Sequence, residues 1–270
     1  MNFVAIPAIH YSCTQLAALV GQCFEGYSMP FSLPPAVFAQ RFIAEGLSLV
    51  DSCVWLDDEE PAAVALITRR GASARLAAFA IRPQYRAQGL GKRLLPPLII
   101  ALRDKGVRLL RLEVIQDNHP AVALYHSLGF TTVQPLYGFQ GAKEVDGEDN
   151  ALREIDPLIV VRKAVCESNA TLSWLTDPLS AVSLPARAFE YRNHALAVIA
   201  THMETPQLRF IYVEPEYRRR GFASELLRTL NQHFPGLSTS VVVPGAFAPL
   251  FDRAGYSKLA LSQYEMKADL

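Results

Sequence analysis

The chain has 270 residues, half of them apolar, and sets 26 basic against 26 acidic side chains. That is enough apolar material for two ordinary domains with cores of their own, and a net charge of zero gives no overall pull toward nucleic acid or an anionic membrane. The longest apolar run, Leu94 to Leu102, is too short to span a bilayer and holds Pro96 and Pro97.

The first Lys or Arg is Arg41, so the charged start of a signal peptide is not expected. Cys13, Cys23, Cys53 and Cys166 show neither metal-ligand spacing nor a secreted disulfide pattern; buried or semi-buried free thiols of a cytoplasmic protein are the expectation. Residues 14–24 and 34–44 are predicted as short helices, joined by the aromatic and proline-rich loop 25–33. Residues 52–56 and 62–68 are predicted as hairpin strands around the acidic turn Asp57-Asp58-Glu59-Glu60.

A strand at 76–81 then leads through Arg82-Pro83-Gln84-Tyr85 into the turn Arg86-Ala87-Gln88-Gly89-Leu90-Gly91. After it, Leu90, Leu94, Leu95, Leu98, Ile99 and Leu102 fall at helical spacing to about residue 105. Strand, glycine turn and helix together aim backbone N–H groups and a positive helix end at an anion. Gly89 and Gly91 leave room for a phosphate to approach the main chain, and Arg86 adds a charge. A pyrophosphate is the natural guest. Pro96-Pro97 conflicts with an unbroken helix, since an interior proline costs roughly 3 kcal/mol, and a kink is predicted there. A strand at 108–115, a helix at 121–128 and a strand at 131–139 follow.

The motif then repeats. Ile81-Arg-Pro-Gln-Tyr-Arg-Ala-Gln-Gly-Leu-Gly returns 132 positions later as Val213-Glu-Pro-Glu-Tyr-Arg-Arg-Arg-Gly-Phe-Ala. Leu94, Leu95 and Leu98 match Leu226, Leu227 and Leu230, and at an offset of 126 Gly129-Phe130 meets Gly255-Tyr256. The chain is thus a tandem repeat of one fold. Residues 141–156 carry six carboxylates (Glu144, Asp146, Glu148, Asp149, Glu154 and Asp156) and few apolar side chains. The expected division is a first domain at 1–142, an acidic linker at 143–156 and a second domain at 157–270. Residues 158–163 could be the last strand of the first domain or the first strand of the second. Opening helices are not evident after 157, so the second copy is expected to be truncated. Its predicted strands are 186–191, 195–202, 207–213, 238–243 and 263–269, with helices at 222–234 and 247–253.

Arg-x-x-Gly-x-Gly after a strand resembles the acyl-CoA loop of the GCN5-related N-acetyltransferases (GNAT). The stretch Leu112-Glu113-Val114-Ile-Gln-Asp-Asn118-His-Pro-Ala121-Val-Ala-Leu124-Tyr125-His-Ser-Leu-Gly129-Phe130 is similar to a segment of the bacterial ribosomal-protein alanine N-acetyltransferases. The resemblance implies an α/β (α+β) protein of two tandem GNAT-like domains, each a mixed, mostly antiparallel sheet flanked by helices. It implies acetyl-CoA as co-substrate, held by Ile81, Arg86, Ala87, Gln88, Gly89, Leu90, Gly91, Lys92 and Asn118, with no metal. It also implies that Glu113 takes the proton of the incoming ammonium and that Tyr125 protonates the departing thiolate. The roles are chemically sound, because a carboxylate can relay a proton and a phenol's pKa, about 10, lies above a thiol's.

Each residue has a plainer reading. Glu113 could be a solvent-facing carboxylate on an alternating strand, Tyr125 a core aromatic, and Asn118 an N-cap rather than a ligand to the pantetheine arm. His119 and His126, without carboxylate or thiol partners at ligand spacing, are expected in solvated or capping roles. In the second copy Thr239 stands where Glu113 would, Phe251 where Tyr125 would and Pro244 where Asn118 would. Phenylalanine cannot donate a proton, so that copy is expected to be degenerate, a structural support or substrate wall, or else a second acyl-CoA site without this chemistry. Arg218-Arg219-Arg220 is too small a footprint for nucleic acid in a neutral chain.

The expected function is a cytoplasmic acetyl-CoA-dependent N-acetyltransferase acting on a primary amine, of a small molecule or a peptide N-terminus, with the chemistry in the first domain. Neither a nucleic acid nor a membrane is expected as partner. A monomer that is a pseudo-dimer of domains, or a homodimer, would suit the repeat. The rival from another class is a non-catalytic acyl-CoA-binding sensor or interaction module. The loop from Glu25 to Phe31 is expected to form an apolar or aromatic rim that selects the acceptor.

Overall fold

The computed structural model describes residues 3–27, 33–144, 151–167, 172–181, 185–201 and 205–270. The chain forms two compact units, one of Met1–Val133 with Glu265–Leu270 and the other of Gln134–Tyr264. The first holds Phe3–Pro7 (β1), Cys13–Cys23 (α1), Pro35–Glu45 (α2), Cys53–Asp57 (β2), Glu60–Arg70 (β3), Ser73–Ile81 (β4), Leu90–Asp104 (α3), Leu109–Ile115 (β5) and His119–Ser127 (α4). Thr131–Gln140 (β6) begins in the first unit and ends in the second. The second continues with Leu152–Ile155 (β7), Pro157–Val165 (α5), Pro178–Ala181 (α6), Ala186–Tyr191 (β8), Ala195–Ala200 (β9) and Gln207–Val213 (β10). Phe222–His233 (α7), Ser238–Thr239 (β11), Val243–Pro244 (β12) and Ala248–Arg253 (α8) follow, and Ser257–Asp269 (β13) ends back in the first unit.

In the first unit β1, β2, β3 and β4 pair antiparallel in order, and β4 pairs parallel with β5. Leu270 N–H donates to the Arg108 carbonyl at 2.9 Å, fastening the chain's last residue beside β5. α1 starts on a capping box, with Ser12 Oγ accepting from Gln15 N–H and Gln15 Oε1 from Ser12 N–H. α2 starts with Pro35 in its first turn and ends on Gly46 at φ +88°. Their apolar stripes, including Leu16, Val20, Phe38 and Phe42, close over Val54, Val64, Leu66, Ala78 and Ala80 of the sheet.

The second unit repeats the plan. β7, β8, β9 and β10 pair antiparallel, β10 pairs parallel with β11, and β6 pairs with β11 and β12. Side chains of β9 alternate between two cores, as period 2 requires. Leu196 and Val198 meet Val160, Val161 and Ala164 of α5. Ala195, Ala197 and Ile199 meet Leu226, Leu227 and Leu230 of α7.

Several expectations change here. Residues 158–163 lie in neither of the predicted strands but in α5, because Asp156 caps Leu158 N–H at 2.8 Å and Pro157 occupies the first turn. With α5 and α6 present, the second copy does have opening helices and is not truncated in that respect. Part of the expected linker, 145–150, lies outside the described residues; of the rest, Leu152–Ile155 is a strand on β8. The units divide within β6, not at 142, because β6 and β13 each pass from one unit into the other. β1 has no counterpart among the predicted strands. α3 runs unbroken from Leu90 to Asp104 through both prolines. The carbonyls those prolines leave without helical partners belong to Lys92 and Arg93, which are exposed, so water can take the missing bonds. Cys23 and Cys53 are buried, whereas Cys13 and Cys166 are exposed.

Gly141, just before the expected linker, is packed. A Cβ there would lie 2.0 Å from Asn231 Oδ1. Asn231 itself donates to the Ala142 carbonyl at 3.0 Å and accepts from Leu237 N–H at 3.2 Å. Gly141→Ala must therefore displace a buried amide from both partners, and should lower unfolding free energy by about 1–3 kcal/mol. Urea denaturation would measure it; an unchanged midpoint would mean that the amide has another place to go.

Candidate active site

The site begins where β4 and β5 part. Their parallel ladder runs from Ser73↔Leu109 to Leu76↔Leu112 and stops. On the other edge of β4, Ala77 is skipped as the partner of β3 passes from Leu76 to Ala78. This bulge bends β4 away just as the ladder ends. From Ala78 to Ile81 β4 keeps β3 but no longer pairs with β5, so its other edge is free of the ladder there. Glu113 is the first β5 residue past the last rung.

Glu113 is neither solvent-facing nor alone. Its Oε2 accepts from Arg75 Nε at 2.7 Å, and Arg75 Nη1 donates to Glu45 Oε2 at 2.7 Å. The three side chains are 3–5% exposed. Glu45 has a second cation, with Arg41 Nε on its Oε1 at 3.1 Å. Burial would raise Glu45, but Arg75 and Arg41 together hold it below the ordinary carboxylate range. Burial pushes Glu113 up, Arg75 opposes this, and Glu45 and Glu265 add to the rise, so Glu113 lies above that range. Glu113 Oε1 is buried with no hydrogen-bond partner among the described residues. An orphaned carboxylate oxygen beside a gap is an acceptor for a proton or a water.

Tyr125, on α4, is buried and meets Phe130 edge to face at 5.7 Å. Burial raises its phenol, and Tyr27 adds to the rise, so it remains protonated at neutral pH. Asn118 caps α4, its Oδ1 accepting from Ala121 N–H at 3.2 Å. His126 Nδ1 lies 3.0 Å from the Phe130 carbonyl at the end of the same helix.

The glycine turn has two parts with different reasons. Ala87 and Gly89 take φ +60° and +72°, and Gly89 caps α3 with open space where a Cβ would stand. The positive φ at two alternate residues curls this main chain in the manner of an anion-binding nest. Gly91 serves packing: a Cβ there would lie 2.5 Å from Leu124 Cδ2 on α4. Arg86 is also reassigned. Its Nε donates to the Ile81 carbonyl at 2.8 Å, and its Nη2 to the carbonyls of Cys23 at 3.0 Å and Glu25 at 2.6 Å. It lies 4.6 Å from the Tyr27 ring centre. The guanidinium thus ties the end of α1 to the end of β4. Gln88 Nε2 donates to the Gln84 carbonyl at 3.0 Å. Leu90 is buried and Lys92 exposed on the first turn of α3. Of the rim loop 25–31, residues 28–31 lie outside the described residues.

The second unit repeats the frame without the chemistry. Its ladder stops at Leu208↔Thr239, Arg209 is the bulge, and Arg219 and Gly221 take φ +59° and +91°. Arg218 Nε donates to the Val213 carbonyl at 2.9 Å, as Arg86 does to Ile81. The register corrects one equivalence. Thr239 faces Leu208 as Leu112 faces Leu76, so Ser240, not Thr239, stands in Glu113's place. Phe251, in Tyr125's place, stacks on Phe139 at 4.3 Å.

Sequence reasoning missed Arg75 and Glu45, and placed Tyr27 only in the acceptor rim, not beside Arg86 and Tyr125. Arg75 fell just outside the predicted strand, and its one available signal was a cation within an otherwise apolar run. Among the described residues, no three His, Cys, Asp or Glu are grouped to hold a metal ion, and no helix is long and apolar enough to cross a membrane.

Bulged strand, parted ladder and glycine turn are the parts of an acyltransferase fold, and the sequence comparison agrees. The model of the Acetyltransferase (GNAT) family matches residues 18–130 and 166–243, and the chain belongs to that family. The [ribosomal protein bS18]-alanine N-acetyltransferase of Escherichia coli (strain K12) is 51% identical over 76 residues, 27% of this chain and 49% of the relative. The match thus spans 37–49% of the length of the curated relatives of that kind. Across nearly its whole length the fold is that of a GCN5-related N-acetyltransferase from Sphaerobacter thermophilus (TM-score 0.70, 17% identity, 99% of this chain and 95% of the other). It is also that of a tandem GNAT protein from the clavulanic acid biosynthesis pathway (TM-score 0.64, 13% identity, 99% and 98%).

Proposed function

We propose that the protein is an acetyl-CoA-dependent N-acetyltransferase whose first unit moves an acetyl group to a primary amine, of a small molecule or a peptide N-terminus. The observation that carries this reading is Glu113 Oε1, buried and unpartnered at the point where β4 and β5 separate. The diphosphate of the co-substrate lies against the main chain of Ala87 and Gly89 at the start of α3, where the turn is curled and a glycine leaves open space. Its apolar arm runs along the unpaired edge of β4. Arg86 serves by holding the Cys23–Glu25 carbonyls in place, not by touching phosphate.

The amine nitrogen attacks the thioester carbonyl carbon, and the tetrahedral adduct collapses with loss of the thiolate. Glu113 Oε1 takes the amine's proton, directly or through one water. Tyr125 donates its proton to the departing sulfur, which leaves as the thiol. The name of the bS18-alanine relative favours a peptide N-terminus as the acceptor, and the proposed setting is the cytoplasm.

Thiol release from acetyl-CoA, followed with a panel of amines and peptide N-termini, tests the reading; no release with any acceptor would defeat it. Gly89→Asp places a carboxylate where the phosphates are held, and should raise the KM for acetyl-CoA about tenfold or more.

The acid limb of kcat reports Glu113 in the loaded enzyme. Because Glu113 lies above the ordinary carboxylate range, this limb should lie above it too. Glu45→Gln removes a charge that raises Glu113 and should move the limb down. Arg75→Lys, which loses the short Nε bond that stabilises the carboxylate, should move it up. A limb that moves in neither variant would assign it to some other group.

A further inference from the structure

The last strand brings a second buried carboxylate to the flank of Glu113. β13 lies next to β5 in the sheet, and its final residues, from Glu265 on, belong to the first unit. The bond from Leu270 N–H to the Arg108 carbonyl fixes this end of the chain along β5. Arg111 and Glu113 are two apart on β5 and so share one face. Arg111 Nη1 donates to Glu265 Oε1 at 3.0 Å, which sets Glu265 on that face as well. Arg75 of β4 stands in register with Arg111 and holds Glu113 from the opposite flank.

The charged groups around Glu113 are thus Arg75 from β4, Glu45 of α2 with Arg41 behind it, Arg111 on its own strand and Glu265 from β13. Lys267, two residues beyond Glu265, is more open to water and lies 4.0 Å from Asp269. Solvent does not treat the Arg111–Glu265 pair evenly. The Glu265 side chain is 1% exposed and that of Arg111 27%. Water screens the cation more than the anion, so Arg111 holds Glu265 in place without cancelling its field at Glu113. Glu265 is accordingly among the groups that raise Glu113. Setting one buried carboxylate beside another costs stability, a cost that a pair serving only to join two strands has no need of.

We propose that Glu265 is a positioning residue for acyl transfer in the first unit, strengthening Glu113 as a proton acceptor from the neighbouring strand. The proposal rests on Glu113 as the base of that reaction. Arg75 keeps Glu113 ionised, and Glu265 keeps Arg75 from reducing it to an inert counter-ion. A base so balanced takes the amine's proton more readily in the transition state. The proton passes to Glu113 Oε1 as the nitrogen–carbon bond forms, and Glu265 neither gains nor loses one.

The pH profile of kcat for the full chain tests this. Glu265→Gln can still accept from Arg111, and should move the acid limb down by about one pH unit and lower the plateau about threefold. Glu265→Asp, which keeps the charge, should restore most of both. A merely structural residue would lower the plateau or the melting temperature and leave the limb in place. A limb that moves in Glu45→Gln but not in Glu265→Gln overturns this proposal alone. A limb unmoved in both defeats the role of Glu113, and this proposal with it. Should Glu265→Gln not fold, the wild-type protein decides. With carbon-13 in the glutamate carboxyls, Glu113 and Glu265 should titrate as a coupled pair, each curve carrying the inflection of the other. Two independent single-step curves would overturn the proposal.

Discussion

Glu113→Gln and Tyr125→Phe should each lower kcat by about 10²–10⁴-fold while leaving acetyl-CoA affinity nearly unchanged. The expectation follows from where the two side chains stand. Glu113 is held on one oxygen only, by Arg75, and its other oxygen is buried without a partner. Glutamine keeps the shape but cannot take a proton. It also presents an amide to the guanidinium, so part of the loss will come from a weakened ion pair. Tyr125 meets Phe130 edge to face, a ring contact that phenylalanine keeps, so Phe should cost little stability and report on catalysis. Single-turnover acetylation with direct measurement of acetyl-CoA binding separates the effects. Rates left intact in both variants would remove these two residues from the chemistry and return Tyr125 to the core.

The second unit already carries a natural version of this experiment. Phe251 replaces the phenol and stacks on Phe139, while Ser240 replaces the carboxylate in register. Its frame is nonetheless intact, down to the arginine that ties the turn to the end of β10. A repeat that keeps its turn and loses its proton-transfer pair separates the requirements for holding a ligand from those for reacting it.

What could be read from the sequence was what is local. The strand, the glycine turn and the helix follow from spacing over about twenty residues, and so does the repeat, because it copies that pattern. Gly89 needed its left-handed φ, and this is visible in one residue type. Gly91 looked the same but answers to Leu124, which is 33 positions away (124 − 91) and belongs to another helix. Residues 158–161 are Leu-Ile-Val-Val, a run that suits a strand as well as a buried helix; Asp156 and Pro157 decided the matter at the helix start. Thr239 and Ser240 could not be told apart as the counterpart of Glu113, since ladder register depends on pairing and not on spacing. Arg75 was hidden for the same reason: its partners are 30 and 38 positions away.

That arginine should also be the most costly single loss to stability. Arg75→Met takes from buried Glu113 the cation on its Oε2 and from Glu45 the cation on its own Oε2. Breaking a buried ion pair in this way costs about 3–5 kcal/mol, because the remaining charge stays desolvated. The triple variant Glu45→Gln, Arg75→Met, Glu113→Gln should recover most of that, since it removes the stranded charges together with their partner. The pH dependence fixes the sign independently. Without Arg75, the folded-state pKa of Glu113 rises further above its unfolded value, about 4.3. The penalty is then felt in full above the folded pKa and shrinks as pH falls toward the unfolded one, because the folded state takes up the proton first. In the wild type, Glu45 works in the opposite direction: its lowered pKa means that acid removes stability. Urea midpoints for the two proteins should therefore converge on acidification. A gap that stayed constant from neutral pH into the carboxylate range would mean that Arg75 stabilises the first unit by packing, and that Glu113 owes neither its charge nor its orientation to it.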